Sequence, residues 1–327
     1  MIDFQSGAFT FLPYNSFLGL QRYNFFASLQ KNNLLKHQAG FVNIIGKPNV
    51  GKSTLMNRLV GERLSIITSK AQTTRHRIMG IVNGEDFQIV YSDTPGILDP
   101  KYKLQESMMQ FVGTALVDAD IILYVTEMMS PDKEHLQTIE RIKQGTTPVI
   151  LSLNKIDLFT QEEVEERVLE WAEILPNAVI LPTSALHGFG HDQLLKQILR
   201  LLPESPPFFP KDELTDKPMR FFMSEIIREK ILRYCHKEVP YSSEVIIESY
   251  VEEENIVRIR AEIMVARETQ KAILIGHLGS MLKRIGTAAR KDMEVFIDKK
   301  IFLEMYVKVD PDWRDNDRRL KSYGYIN

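Results

Sequence analysis

The chain has 327 residues, more than one ordinary domain holds and a natural length for two. Hydrophobic residues make up 44% and charged residues 26%, a globular balance that excludes a disordered or collagen-like polymer. Its 41 basic and 43 acidic side chains leave a net charge of −2. Coating of nucleic acid by bulk charge is thereby excluded, whereas a local basic patch is not.

The single cysteine, Cys235, cannot form an internal disulfide and points to a reducing compartment. No apolar run approaches the ~18 residues that a bilayer span needs. A soluble, cytoplasmic chain of two domains is the expectation. Residues 1–38 hold six Phe, two Tyr, the basic residues Arg22, Lys31 and Lys36, and the acid Asp3. They lack the basic start of a secretory signal and the Arg content of a mitochondrial presequence. This segment reads as a poorly ordered extension or an over-long start, with a binding arm as the alternative.

From Gly40 onward the pattern becomes regular. Phe41–Gly46 is a short apolar run followed by a glycine-rich turn and a helix over Lys52–Val60. Further apolar runs at Phe87–Tyr91, Ile121–Val125, Val149–Leu153 and Val179–Leu181 alternate with helix-like segments. That order predicts an α/β domain over 39–203, its sheet mostly parallel with helices on both faces. Pro203, Pro206, Pro207, Pro210 and Pro218 mark a linker over 204–218 that regular structure cannot occupy. Beyond it, Met219–Tyr234 reads as an amphipathic helix, and Glu244–Val251 and Ile256–Val265 as strands. In the second strand Val257, Ile259, Ala261 and Ile263 alternate with Arg258, Arg260 and Glu262. A helix ending near Ile275, the turn Gly276–Gly279, a helix to about Met293 and a strand over Ile301–Val309 complete a small α+β domain over 219–310. A tail, 311–327, follows.

Three segments of the first domain carry chemistry. Gly46, Lys47, Pro48, Asn49, Val50, Gly51, Lys52 and Ser53 fit the phosphate-loop pattern GxxxxGK[ST] between a strand and a helix. Backbone N–H groups there curl around phosphate oxygens at a helix N-terminus. Lys52 places a point charge on the β- and γ-phosphates, Ser53 supplies a hydroxyl to Mg²⁺, and Thr54 continues the cradle. Asp93, Thr94, Pro95 and Gly96 end the next apolar run, with Asp93 placed to hold Mg²⁺ through water and the Gly96 N–H to sense a γ-phosphate. Asn154, Lys155 and Asp157 follow the strand Val149–Leu153. The Asp157 carboxylate can accept from both the N1–H and N2–H₂ of guanine, a donor pair that adenine lacks. Asn154 and the Lys155 stem frame the ring, and Thr183, Ser184 and Ala185 offer backbone N–H groups to O6. All lie at strand C-termini, the edge where open α/β sheets bind ligands.

On these motifs the chain resembles the translation-factor-like GTPases and, within them, the Era family, from about residue 39 to the end of the second domain. The resemblance implies a P-loop GTPase domain followed by a type II KH domain. It also implies that Ser69–Arg77 is the first switch, with Thr74 completing the Mg²⁺ shell and Thr73 as the alternative candidate. Where many GTPases carry a water-orienting Gln after the switch glycine, this chain has Ile97, which predicts slow intrinsic hydrolysis. In the second domain Gly276, His277, Leu278 and Gly279 form a GxxG loop, the clamp that KH domains place on single-stranded nucleic acid. Lys271, Lys283, Arg284, Arg290 and Lys291 flank it with no acid between the first and the last. Leu278 stands where family members commonly carry Lys, which removes one phosphate contact.

The resemblance further implies binding near the 3′ end of small-subunit ribosomal RNA, a role in 30S subunit maturation, a monomer, and peripheral contact with the inner membrane. Alternatives are a signalling GTPase whose second domain docks a protein or membrane, and a P-loop ATPase or kinase, against which Asp157 argues. For the tail, with Trp313, Arg314, Arg318 and Arg319, packing is expected, with an RNA or switch contact as the alternative.

Overall fold

The computed structural model describes residues 37–130 and 133–326; apart from its last two residues, the expectation for 1–38 lies outside them. The first domain runs β1 (Gln38–Ile45), α1 (Lys52–Val60), β2 (Ile78–Asn83), β3 (Phe87–Asp93), α2 (Lys103–Val117), β4 (Ile121–Thr126), α3 (Lys133–Gln144), β5 (Val149–Leu153), α4 (Gln161–Ile174), β6 (Val179–Pro182) and α5 (His191–Leu201). The sheet order is β2-β3-β1-β4-β5-β6, parallel throughout except that β2 runs antiparallel to β3.

Every residue of β4 is buried, because successive side chains alternate between two covered faces. Ile121, Leu123 and Val125 pack with Leu55 and Met56 of α1 and Leu194 and Ile198 of α5. Ile122 and Tyr124 pack with Val112 of α2, Ile139 of α3 and Trp171 of α4. Two-sided burial is why these strands read as continuous apolar runs.

Strand β2 has no counterpart among the sequence-predicted elements. It is six residues long and interrupted by Gly80, which weakens the strand signal. A Cβ at Gly80 would lie 2.6 Å from Val60 Cγ2, so packing against α1 requires glycine there. The outer edge of β2 is covered by the linker. The Ile81 N–H donates to Leu214 O at 2.8 Å, the Met79 N–H to Asp216 Oδ1 at 2.8 Å, and Thr215 Oγ1 to Met79 O at 2.7 Å. The linker, which has no helix or strand of its own, thus blunts an exposed strand edge. Buried Gln88 anchors it, accepting from the N–H groups of Phe208 and Phe209 and donating to Phe209 O.

The second domain runs α6 (Met219–Tyr234), β7 (Ser243–Glu252), β8 (Ile256–Val265), α7 (Glu268–Ile275), α8 (Ser280–Ile297) and β9 (Lys300–Val309), the α–β–β–α–α–β order that the resemblance implies. Its sheet is β7-β8-β9, antiparallel between β7 and β8 and parallel between β8 and β9. Helix α6 occupies the predicted residues but is not amphipathic in its surroundings. Its polar side chains Glu225, Arg228, Glu229 and Lys230 are buried along with its apolar ones, because the face expected to meet solvent rests on the first domain. In the tail, Trp313, Leu320 and Tyr325 bury themselves against Leu104 and Met108 of α2.

Candidate nucleotide site and nucleic-acid interface

The phosphate loop joins β1 to α1. The N-cap residue Gly51 has φ 99° and provides no side-chain cap, and the first turn holds no acid. The first N–H groups of α1 are therefore left for an anion, with the helix dipole behind them. A Cβ on Gly51 would lie 2.3 Å from Asn154 Nδ2, so the loop closes on the base-binding segment only with glycine here. Lys52 Nζ donates to the carbonyls of Gly46 at 3.0 Å and Lys47 at 2.7 Å. Burial lowers its pKa to about 8, opposed by the nearby Asp93 carboxylate.

Ser53 Oγ lies 2.6 Å from Asp93 Oδ2 and 2.9 Å from Thr74 Oγ1. Thr74 Oγ1 is 3.4 Å from the same carboxylate oxygen. Burial pushes the Asp93 carboxyl up, offset in part by hydrogen bonding from Ser53 and the charge of Lys52, and its Oδ1 is buried without a hydrogen-bond partner. Two hydroxyls, one carboxylate and an unsatisfied carboxylate oxygen form an all-oxygen donor set. It suits Mg²⁺, a hard cation that keeps several waters and takes phosphate oxygens as further ligands. Thr73 does not join this set: its Oγ1 donates to Lys70 O and pairs with Thr68 Oγ1, both at 2.6 Å. Lys52, Ser53, Thr73 and Thr74 line a cleft of about 440 Å³ that also takes in Pro48, Asn49, Thr54, Gln72 and Gly96; Asp93 is fully buried and does not line it. Pro48 backs directly onto Gly96, where a Cβ would meet Pro48 Cα at 2.6 Å. The Ile97 N–H donates to Gly46 O at 3.1 Å, and the Ile97 side chain packs on the α2–α4 face of the sheet. Thr94 Oγ1 donates to Ile44 O at 2.7 Å, a bond that holds the strand end.

At the base end, Asn154 acts as a brace. Its Nδ2 donates to Val50 O at 2.7 Å, and its Oδ1 accepts the Ala185 N–H at 2.9 Å. Thr183, Ser184 and Ala185, expected to offer N–H groups to O6, have all three bonded within the protein here. Thr183 N–H donates to Leu153 O and Ser184 N–H to Phe189 O, so all three are committed inside the fold. Asp157 accepts from Ser184 Oγ at 2.5 Å and lies 3.7 Å from His187 Nε2. Lys155, in a left-handed conformation at φ 65°, forms an ion pair with Glu127. His187 and Glu127 were not found from sequence, since neither belongs to a phosphate or base motif.

In the second domain, the GxxG loop forms a single turn between α7 and α8. Leu278 holds φ 48° and is 94% exposed, so the loop tip is apolar. Lys283, Arg284 and Lys291 line a groove of about 550 Å³ between α6 and α8, together with Lys230, Arg233 and Tyr234. The Arg284 guanidinium sits 4.3 Å from the Tyr234 ring centre, a cation–π geometry. Lys271 and Arg290 do not line this groove; Arg290 instead pairs with Glu294 at 2.7 Å.

A family described as a 50S ribosome-binding GTPase matches residues 41–155, and the KH domain family matches residues 238–314. The GTPase Era of Geobacter sp. (strain M21) is 47% identical over 292 residues, spanning 89% of this chain and 98% of that protein. The GTPase Era of Syntrophus aciditrophicus (strain SB) is 46% identical, spanning 88% and 95%. The chain belongs to the Era family of GTPases. Among solved structures, Era in complex with MgGDPNP and nucleotides 1506–1542 of 16S ribosomal RNA superposes with TM-score 0.85 at 40% identity, covering 89% of this chain and all of that one. A single-residue variant of Aquifex aeolicus Era bound to GDP·AlF4⁻ superposes with the same score, identity and coverage.

In this Era family member the stretch Ser69–Arg77, expected to be the first switch, is gripped by the second domain. Arg75, fully buried, donates to Ser243 O at 2.8 Å and Pro240 O at 3.0 Å, and pairs with Glu244 at 3.1 Å. His76 stacks on Tyr325 of the tail, ring centres 4.3 Å apart. Burial, then the charges of Arg228, Lys217 and Arg75, lowers the His76 pKa to about 3. Lys70 donates to Cys235 O. Arg77 turns inward to Asp118 and Ser92, so of the predicted switch stretch only Ser69–Thr74 lines the cleft. The tail also meets the loop after Gly96, through Lys103 paired with Asp317 at 2.8 Å and Arg314 over Tyr102. The tail thus packs on α2 and also contacts His76 and the residues just before α2.

Proposed function

We propose that this GTPase is a Mg²⁺-dependent switch. In this reading its KH domain binds the 3′ region of 16S ribosomal RNA, and the chain acts in 30S subunit assembly. One observation carries the reading: the domain that bears the basic groove and GxxG loop holds Lys70 and Arg75, at either end of the residues that line the nucleotide cleft. The likeness to Era bound to MgGDPNP and a 16S ribosomal RNA fragment supports the nucleotide, the metal and the RNA class together.

Mg²⁺ held by Ser53, Thr74 and, through water, Asp93 would neutralise phosphate charge during transfer. Lys52 exchanges its carbonyl partners for phosphate oxygens, and the α1 amides bind the remaining charge. Asp157 reads guanine. Ile97 offers no group to orient water, so turnover without a partner is slow, on the order of 10⁻³ s⁻¹ as in unassisted switch GTPases. A γ-phosphate that orders Thr74 and the loop after Gly96 would also act on the surfaces that hold the KH domain. The cytoplasm is the proposed location, in keeping with the lone Cys235, and a monomer the proposed state. Membrane contact has only the family resemblance behind it; among the described residues no helix is long and apolar enough to cross a membrane.

The test is binding to a single-stranded RNA that matches the 3′ end of 16S ribosomal RNA. Affinity is measured with a GTP analogue and with GDP over a salt series, against a scrambled RNA. Sequence-dependent binding that differs between nucleotide states is the expected result, because only a ligand with differential affinity shifts an equilibrium. Weak binding indifferent to sequence and nucleotide would overturn the RNA assignment and point to a protein partner.

A further inference from the structure

Thr74 is bracketed by two grips from the second domain. On its C-terminal side is Arg75, locked to Ser243, Pro240 and Glu244. On its N-terminal side is Arg228 of α6, whose guanidinium donates to Thr73 O and, at 3.4 Å, to Gln72 O. Glu225, one turn earlier on the same helix, holds the guanidinium with two hydrogen bonds of 2.6 Å, and both side chains are nearly inaccessible to solvent. A planar fork fixed on one edge by a carboxylate presents its other donors in one direction, here onto the switch backbone. The gripped residue Gln72 holds φ 56°, a left-handed conformation that a side chain such as Gln adopts only when its surroundings impose it. Tyr102 secures the same residue, donating to Gln72 Oε1 at 2.9 Å.

We propose that Arg228, a residue of the KH domain, is a positioning residue for GTP hydrolysis: its grip on Gln72 and Thr73 keeps Thr74 turned toward Ser53 and Asp93. The proposal rests on the reading of that cluster as the Mg²⁺ site of the GTP state. It makes the hydrolytic site complete only when α6 is seated. An RNA that moved α6 would then change turnover without touching the nucleotide.

The full chain is compared with Arg228→Lys, which keeps a charge beside Glu225 but loses the fork, and with Arg228→Met combined with Glu225→Met, which leaves no unpaired buried carboxylate. Leu274→Ala, which opens a cavity in the core of the second domain on α7, away from the tail and α6, is the control. In the Arg228 variants single-turnover GTP hydrolysis is expected to fall about tenfold, with the Mg²⁺ concentration for half-maximal rate raised about fivefold. GDP affinity and the Leu274→Ala kinetics are expected to stay within about twofold. Amide hydrogen exchange over 72–75 should quicken in the Arg228 variants even without nucleotide. Unchanged kinetics and exchange in a folded Arg228 variant would overturn the proposal, as would an equal loss in Leu274→Ala. If the double variant does not fold, Arg228→Lys carries the test. A parent chain that hydrolyses no GTP would defeat the reading of the cleft instead, and the exchange data would still report whether Arg228 holds the segment.

Discussion

In the proposed reading Asp157 meets the base and Lys52 the phosphates of one nucleotide, and each makes a separable prediction. Asp157 follows β5 at the base end, its side chain fixed by a hydrogen bond from Ser184 Oγ. Asp157→Asn replaces one acceptor with a donor, so guanine loses a hydrogen bond and faces a like group. The variant should lose about a hundredfold or more in GTP affinity and gain affinity for xanthosine triphosphate, whose 2-keto oxygen accepts. Competition binding with the two nucleotides checks this. Lys52, buried and with its pKa lowered to about 8, must be charged to hold phosphate. Above that pH the free protein sheds the proton, and nucleotide affinity should fall by up to about tenfold per pH unit. Titration calorimetry from pH 7 to 9.5 reads the slope, which Lys52→Met should flatten. Burial of this charge costs stability in the empty protein, and the cost is relieved as pH rises from about 8 toward 10.5, since only the unfolded chain then binds the proton.

Strand ends and loops decide how these residues meet. The loop after β3 touches the phosphate loop through Gly96, which sits against the Pro48 backbone, and through the Ile97 N–H on Gly46 O. Gly96→Ala puts a methyl group 2.6 Å from Pro48 Cα, and backbone cannot step aside as a side-chain tip can. The two loops should separate, with GTP hydrolysis reduced about tenfold or more and GDP affinity much less affected. Single-turnover kinetics beside GDP titration make the comparison. The elements were largely legible in the sequence: α1, β5, α6 and β8 occupy the residues that their periodicity predicts. Strand β2 was not, because an edge strand with a central glycine carries little local signal, and its partner on the outer side is a linker 130 or so residues away.

Across the whole molecule, the domains are joined by polar groups packed between them. His76 stacks on Tyr325 and lies against Phe221, near Arg228, Lys217 and Arg75. Its pKa of about 3 lies below the ordinary 6.5, so below pH 6.5 the unfolded chain takes a proton that the folded chain refuses. That stability is fully present above pH 6.5 and is lost as pH falls toward 3, by about 1.4 kcal/mol per unit and about 2 kcal/mol by pH 5. Urea midpoints at pH 7 and pH 5 should differ less in His76→Phe than in the parent chain. An equal difference in both would place the acid sensitivity elsewhere.

The sequence by itself determined the α/β and α+β domains, the phosphate loop, the guanine motif and the GxxG loop. Each of these is written in short-range patterns: backbone N–H groups of one turn, a period of two or of 3.6, a motif at a strand end. Only the tertiary structure decided which threonine faces Ser53, that the Ala185 N–H is spent on Asn154, and that Lys271 and Arg290 stand apart from the basic groove. It alone showed that the polar side of α6 is an interface. The physical reason is common to all four. A buried donor or charge must find its partner wherever the chain brings one, and the partner of Thr73 O is a guanidinium 155 residues away, which no local pattern specifies.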